Sequence, residues 1–477
     1  MFDLILRGGT VGTADGCYEA DVAIRDGRIA AVGTGLGPAR ETLDAAGRLV
    51  LPGGVDPHCH IEQVSGMGLM NADTFETATA SAAMGGTTTV ISFAAQAKGQ
   101  RLRDAVADYA ARARRGAHID HAFHILISDP TVPDLAADLT ALAAEGHRSI
   151  KVFTTYNIGL DDRALMDVLA AARSAGALTC IHAENDGLIG WTKSRLLADG
   201  HHAPKHHALS HPRLAEIEAV ERMCRFAEFL DTPVMLFHIS TAEGVAAVRA
   251  ARGRGVPVWA ETCPHYLLMT GEVLDQPGLE GAKVMCSPPQ RTKADQQALW
   301  QGLARRDLEV ISSDHAPYRY DETGKLTAGP GARFDQIANG LPGLETRLPL
   351  MFDAMVSRGG LGIEAFVDLT ATRPARFYGL PSKGRIAPGC DADLVIWDPA
   401  RQHRYGENDL HDNVGYNPWA GITVTGWPDT VIQRGAVIAA GGVLRAAPGQ
   451  GRWLPRELAT PPTGRPAAEV AYLESKT

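Results

Sequence analysis

The hydrophobic pattern of this chain changes period twice. Over residues 1–50 apolar and polar positions alternate in short runs, such as Asp3-Leu4-Ile5-Leu6, Asp21-Val22-Ala23-Ile24 and Ile29-Ala30-Ala31-Val32. Gly8-Gly9 and Asp26-Gly27 interrupt them, which predicts a small antiparallel β unit with tight turns. The same texture returns over 392–397, 422–425 and 430–435. Chain termini commonly lie close together, so the two flanks are expected to build one small β-sandwich.

Between the flanks, continuous apolar runs alternate with stretches of helical period. Strand candidates start near 50, 88, 121, 149, 177, 232, 256 and 309, and helical stretches such as 102–115, 161–175 and 242–254 follow them. Eight β-then-α units predict an α/β chain built on a (β/α)8 TIM barrel. A doubly wound open sheet is the alternative, but no GxGxxG follows the first strand. The expected organisation is a sandwich from 1–50 and 385–445, a catalytic barrel over 51–384, and a tail over 446–477. That polar, Pro-rich tail reads as an arm at a subunit interface or as a mobile terminus.

Composition narrows the class. The 477 residues are 45% hydrophobic and 21% charged, an ordinary globular balance. A formal net charge of -9 gives no hint of nucleic acid or an anionic membrane as partner. The N-terminus lacks the basic region of a signal peptide, and no run approaches the ~18 apolar residues of a membrane span. Seven cysteines without a CxxC pair read as reduced residues of a cytoplasmic protein.

In such a barrel the functional groups sit at the C-terminal ends of the strands. The first strand ends in His58-Cys59-His60. Residues two apart on a strand project to one side, so these imidazoles form half of a metal site. Alone, the pair fits equally well one packed and one surface histidine. Later strand ends add Lys151, His182, His238 and Asp314, and together the set suits two divalent metal ions. Lysine is a poor ligand while protonated. Burial near cations lowers its pKa, and the neutral amine can take up carbon dioxide to become a bridging carbamate. The alternative is an ordinary lysine whose head reaches solvent. The histidine-rich segment HHAPKHHALSH, residues 201–211, fits no zinc spacing and reads as a solvated or interface loop.

This set resembles the amidohydrolase superfamily, specifically its dihydropyrimidinase and hydantoinase branch. The likeness extends to Gly85-Gly86-Thr87-Thr88-Thr89, Lys151-Val152-Phe153-Thr154-Thr155-Tyr156, His182-Ala183-Glu184-Asn185, Ser287-Pro288-Pro289 and Asn339-Gly340-Leu341-Pro342-Gly343. The resemblance implies two divalent metals, usually zinc, and hydrolytic opening of a cyclic amide to an N-carbamoyl amino acid. It implies that His58 and His60 hold the more buried metal and His182 and His238 the more exposed one. Lys151, as N6-carboxylysine, would bridge them, and Asp314 would complete the coordination of the first, more buried metal. A hydroxide shared by the metals would attack, and Asp314 would carry its proton to the departing nitrogen. Tyr156 would donate to the oxyanion, and backbone groups of Ser287 and Asn339 would read the ring's amide edge. A homotetramer is also implied.

Thr154, Ala316 and Ala338 depart from the branch and bear on the pocket around the ring substituent. Gate loops over 61–73 and 153–161 would face that substituent. Met67, Leu69, Met70 and Ile158 either line it, favouring apolar groups, or merely pack the loops. Without a partner for a charge, acids are expected to be disfavoured by at least roughly a hundredfold. Glu62, just after the histidine pair, would likewise repel the carboxylate of a dihydroorotase substrate. An allantoinase-like cyclic ureide hydrolase is the runner-up. A non-catalytic scaffold homologue is disfavoured because all six ligand positions are filled.

Overall fold

In the computed structural model, which describes residues 1–476, both β-rich flanks enter one nine-stranded sheet. The N-terminal flank supplies β1 (Phe2–Thr13), β2 (Gly16–Arg25), β3 (Arg28–Gly33), β4 (Ala39–Asp44) and β5 (Leu49–Pro52). Asp26 and Gly27 join β2 to β3 with φ of 52° and 74°, the left-handed pair that a two-residue hairpin requires. The barrel follows with β6 (Gly54–Cys59), β7 (Thr87–Ala95), β8 (Asp120–Leu126) and β9 (Ser149–Phe153). It continues with β10 (Leu178–His182), β11 (Val234–Leu236), β12 (Val258–Thr262) and β13 (Val310–Ile311). The C-terminal flank adds β14 (Leu394–Arg404), β15 (Thr423–Gln433), β16 (Ala436–Ala440) and β17 (Val443–Leu444).

The flanks meet where β14 pairs antiparallel with β5, with Val395 opposite Leu51. Leu6, Val22 and Ile24 from one flank share an apolar core with Leu394, Ile396 and Ile432 from the other. This is the expected sandwich.

Strands β6 to β13 lie side by side in sequence order, parallel throughout. Both faces of these strands are covered, which is why they read as apolar runs rather than alternations. The seam between the first and last strands closes through His60, whose backbone N–H donates to the His315 carbonyl at 2.7 Å. Buried Arg347 spans the same seam, donating to the carbonyls of Val55 (3.2 Å) and Ile311 (2.9 Å) with Asp56 at 3.3 Å. Helices Asp162–Ala175, Asp186–Ala198 and Ala242–Gly253 start soon after β9, β10 and β11. Asp161, Asn185 and Thr241 cap them through their side chains. Each cap satisfies an otherwise orphaned N–H and fixes where the chain leaves the strand, and so where the strand-end side chains point.

The tail runs beneath its own barrel. Trp453 packs on His147 with ring centroids 5.1 Å apart, and the Leu454 N–H donates to the His121 carbonyl at 2.8 Å. Buried Arg456 donates to Ser149 Oγ (2.6 Å) and to the Phe123 carbonyl (2.5 Å). Such charge-assisted bonds contribute about 1.5–3 kcal/mol each. Removing residues 445–477 is therefore expected to lower the thermal midpoint as well as any effect on assembly. Calorimetry of the truncated chain checks this; an unchanged midpoint would show that the tail does not support the barrel.

Candidate active site

The predicted site residues converge at the C-terminal mouth of the barrel. His58, His60, Lys151, His182, His238, Asp314, Tyr156, Ser287 and Asn339 all line one cavity of about 320 Å³. Ligand atoms of His58, His238 and Asp314 lie within 4.8 Å of one another, a grouping able to hold a metal ion. Asp314 Oδ1 is 3.0 Å from His58 Nε2 and 3.5 Å from His60 Nε2. The His182 ring lies 4.5 Å from that of His238 and 5.3 Å from that of Tyr156.

The polar bookkeeping fits a metal. Each of three histidines has one ring nitrogen engaged by a neighbouring side chain. His58 Nδ1 meets Glu261 Oε1 at 2.5 Å, His60 Nδ1 meets Gln63 Oε1 at 2.7 Å, and His182 Nε2 meets Glu184 Oε2 at 2.9 Å. Partners of this kind fix the tautomer of a ligating histidine and leave its other nitrogen free. His238 Nδ1 and Lys151 Nζ are buried without a hydrogen-bond partner, and buried His58 Nε2 faces the Asp314 carboxylate. Burial lowers the pKa of His60, His182 and His238, keeping them neutral as ligation demands. For His58 burial acts the same way, but Asp314 and Glu261 outweigh it and raise the pKa. Asp314 is buried too, yet His58 and its neighbours hold its carboxyl well below the usual range.

Lys151 is fully buried, and its Nζ faces rings rather than acids: 4.0 Å from the Phe237 centroid and 4.7 Å from that of Phe153. Burial pulls its pKa down to about 8. The fraction of free amine at neutral pH is thereby roughly 300 times that of an ordinary lysine. Backbone strain gathers here as well. Tyr156, His238 and Asp314 have φ of 67°, 41° and 46°, a region that costs a non-glycine residue about 1–2 kcal/mol.

Residues 49–438 match the Amidohydrolase family. The chain is 41% identical to a D-hydantoinase of Rhizobium radiobacter, over 95% of this chain and 99% of that one. It is 36% identical to a D-phenylhydantoinase of Escherichia coli, over 96% and 99%. A solved dihydropyrimidinase from Brevibacillus agri superposes with a TM-score of 0.92 at 36% identity, covering 98% of this chain and all of that one. The chain belongs to the amidohydrolase family.

Five features of this amidohydrolase escape sequence reasoning. The histidine-rich segment is not simply a solvated or interface loop: His201 and His202 are exposed, but His207 and His211 are buried. His211 Nδ1 meets Glu184 Oε1 at 2.9 Å, and His207 Nε2 meets the Cys286 carbonyl at 2.8 Å. Together they brace the neighbourhood of His182 and the Ser287 wall. Glu62, expected to repel acids, lies outside the cavity lining. Its carboxylate instead accepts from the Phe75 N–H at 3.0 Å at the start of a helix, where an anion is favoured.

Of the gate residues, Met67 and Ile158 line the cavity, whereas Leu69 and Met70 do not. A turn closed by the Ser65 N–H on the Leu69 carbonyl at 2.7 Å carries the loop past them. Ala316 and Ala338 line the cavity, but Thr154 does not. Thr154 Oγ1 donates to the Glu184 carbonyl at 2.7 Å and so holds the strand end of His182. Lastly, Lys193, from helix Asp186–Ala198, reaches the lining.

Glu184→Ala removes the partner that orients His182. It is expected to weaken metal binding 10- to 100-fold, read by competition with a chelator. Metal affinity equal to that of the unmodified protein would mean that Glu184 is a packing residue.

Proposed function

We propose that this amidohydrolase hydrolyses the ring of a cyclic amide, a 5,6-dihydropyrimidine or a 5-substituted hydantoin, to the N-carbamoyl amino acid. The observation that carries the reading is the convergence of four histidines, a buried lysine and Asp314 in one cavity with Tyr156, Ser287 and Asn339. The hydantoinase and dihydropyrimidinase relatives support the substrate class. In our reading His58, His60, Asp314, His182 and His238 would hold two divalent ions, zinc by preference. Lys151 would serve both as N6-carboxylysine, formed when its free amine adds to carbon dioxide and releases one proton. The ions would acidify a water and polarise the ring carbonyl.

The chain's own groups supply the rest. Asp314 takes the proton of the attacking water and returns it to the ring nitrogen as the C–N bond breaks. Water thereby adds across the amide, leaving a carboxylate and a ureido group. The Tyr156 hydroxyl belongs to a side chain at the cavity wall, and an ordinary phenol loses its proton only near about 10. It therefore stays protonated and donates to the developing oxyanion. Ser287 and Asn339 read the amide edge with backbone groups and fix the ring's orientation.

A cytoplasmic homotetramer belongs to the same proposal. All seven cysteines are free and six are buried, which suits a reducing compartment. Exposed Trp191, Leu209 and Leu214 offer apolar surface for a subunit contact. No helix among the described residues is long and apolar enough to cross a membrane.

The test is incubation of metal-loaded protein with dihydrouracil, 5-phenylhydantoin and allantoin, with products read by mass spectrometry. Ureido acids from the first two are expected. Turnover of allantoin alone would favour the allantoinase reading, and no turnover of any ring would overturn the enzyme assignment.

A further inference from the structure

The cavity's charge differs from what its gate loops suggest. Its walls near the mouth are largely apolar, with Met67, Phe153, Ile158 and Tyr318. Its one carboxylate, Asp314, faces the imidazoles of His58 and His60. Besides Lys151, which the proposed metal site uses, one amine lines it among the described residues: Lys193 at the exposed rim. Lys193 forms no ion pair among the described residues. The acid it influences is Asp335, and Arg333 already grips that carboxylate with two bonds of 2.9 Å. Glu62, which would have opposed an anion, faces elsewhere.

An uncommitted ammonium above an apolar wall suits a substituent with an apolar stem and an anionic end. The stem buries surface against the wall, while the end meets the cation at the rim without being desolvated deep in the cavity. We infer that Lys193 is a specificity-determining residue that admits cyclic amides bearing a carboxylate on the ring substituent. This rests on the ring-opening reading above and reverses the expectation that acids are excluded. Because Lys193 is exposed, the expected gain is modest and sensitive to salt.

The test compares 5-(2-carboxyethyl)hydantoin with its carboxamide, 5-(2-carbamoylethyl)hydantoin, a neutral ring of nearly equal shape. The readout is the acid-to-amide ratio of kcat/KM for each enzyme, so a general loss of activity cancels. At low salt the unmodified enzyme is expected to favour the acid about three- to fivefold. Lys193→Met should bring the ratio to about one or below, Lys193→Glu should lower it further, and Lys193→Arg should keep it. Added salt should shrink the ratio of the unmodified enzyme alone among the first two. A ratio unchanged by Lys193→Met and Lys193→Glu, with both rings opened, would overturn the role of Lys193 and leave the ring-opening reading standing. Failure to open either ring or 5-phenylhydantoin would overturn both.

Discussion

Lys151→Ala is expected to lower ring-opening activity by at least about a thousandfold, roughly 4 kcal/mol of barrier, and to deplete bound metal. The argument starts from the surroundings of Nζ. It is buried, lacks a hydrogen-bond partner, and lies over the rings of Phe237 and Phe153. A lysine kept for structure would be paired; Lys383, also buried, contacts Asp120 at 2.6 Å and Asp393 at 2.7 Å. Burial instead moves Lys151 to about 8, where a useful fraction is free amine. In the proposed function, a carbamate formed from that amine would be the one group at this position able to serve two cations. Short carboxylic acids such as acetate should partly restore activity in Lys151→Ala, since they refill the vacated space with a carboxylate. Lys151→Met fills the same space with an apolar chain, so it should keep the thermal midpoint, lose activity and resist rescue. Full metal content and rate in Lys151→Ala would remove the bridging role.

The parts of this molecule legible in its sequence are those set by local physics. Parallel strands buried on both faces leave continuous apolar runs, so seven barrel strands start within about two residues of expectation, while the run near 50 divides into β5 of the sandwich and β6 of the barrel. Asp26-Gly27 announces its hairpin because few residue pairs tolerate two positive φ values. His58 and His60 betray the site because a two-residue spacing fixes their common direction. What stayed hidden depends on distant partners. Glu261 supports His58 across 203 positions of sequence, and nothing in a strand ending Ala260-Glu261-Thr262 says which imidazole it will meet.

Direction inside loops was equally hidden. Glu62 follows the histidine pair closely, yet a helix start captures its carboxylate. Leu69 and Met70 sit in a gate loop but turn past the cavity, while Lys193 reaches it from a helix that the spacing did not connect with the substrate. Histidine count misled in the same way. Burial under Glu184, not spacing, gives His211 its role.

Asp314→Asn is expected to lower kcat on hydantoin by about three orders of magnitude while the fold persists. General acid–base groups typically contribute about 10²–10⁴-fold, and in the proposed function this carboxylate acts twice, as base toward water and as acid toward the ring nitrogen. Asparagine has nearly the same shape but can neither accept that proton nor supply the negative charge that His58, at 3.0 Å, faces. The backbone is not the weak point. Asp314 has φ of 46°, and asparagine tolerates the left-handed region about as well as aspartate. Its neighbours are independently held, Ser313 Oγ by the His58 carbonyl at 3.1 Å and His315 Nε2 by Asp73 at 2.9 Å. Calorimetry should therefore show a thermal midpoint near that of the unmodified protein, with a large fall in kcat and a smaller change in KM. Metal analysis separates the two roles of the residue. A thousandfold loss with metal retained isolates proton transfer, whereas loss of metal in step with rate assigns Asp314 chiefly to ligation. Activity within a few-fold of the unmodified enzyme would mean that another group handles the proton. No other carboxylate among the described residues lines the cavity, so the mechanism would then need a different acid–base.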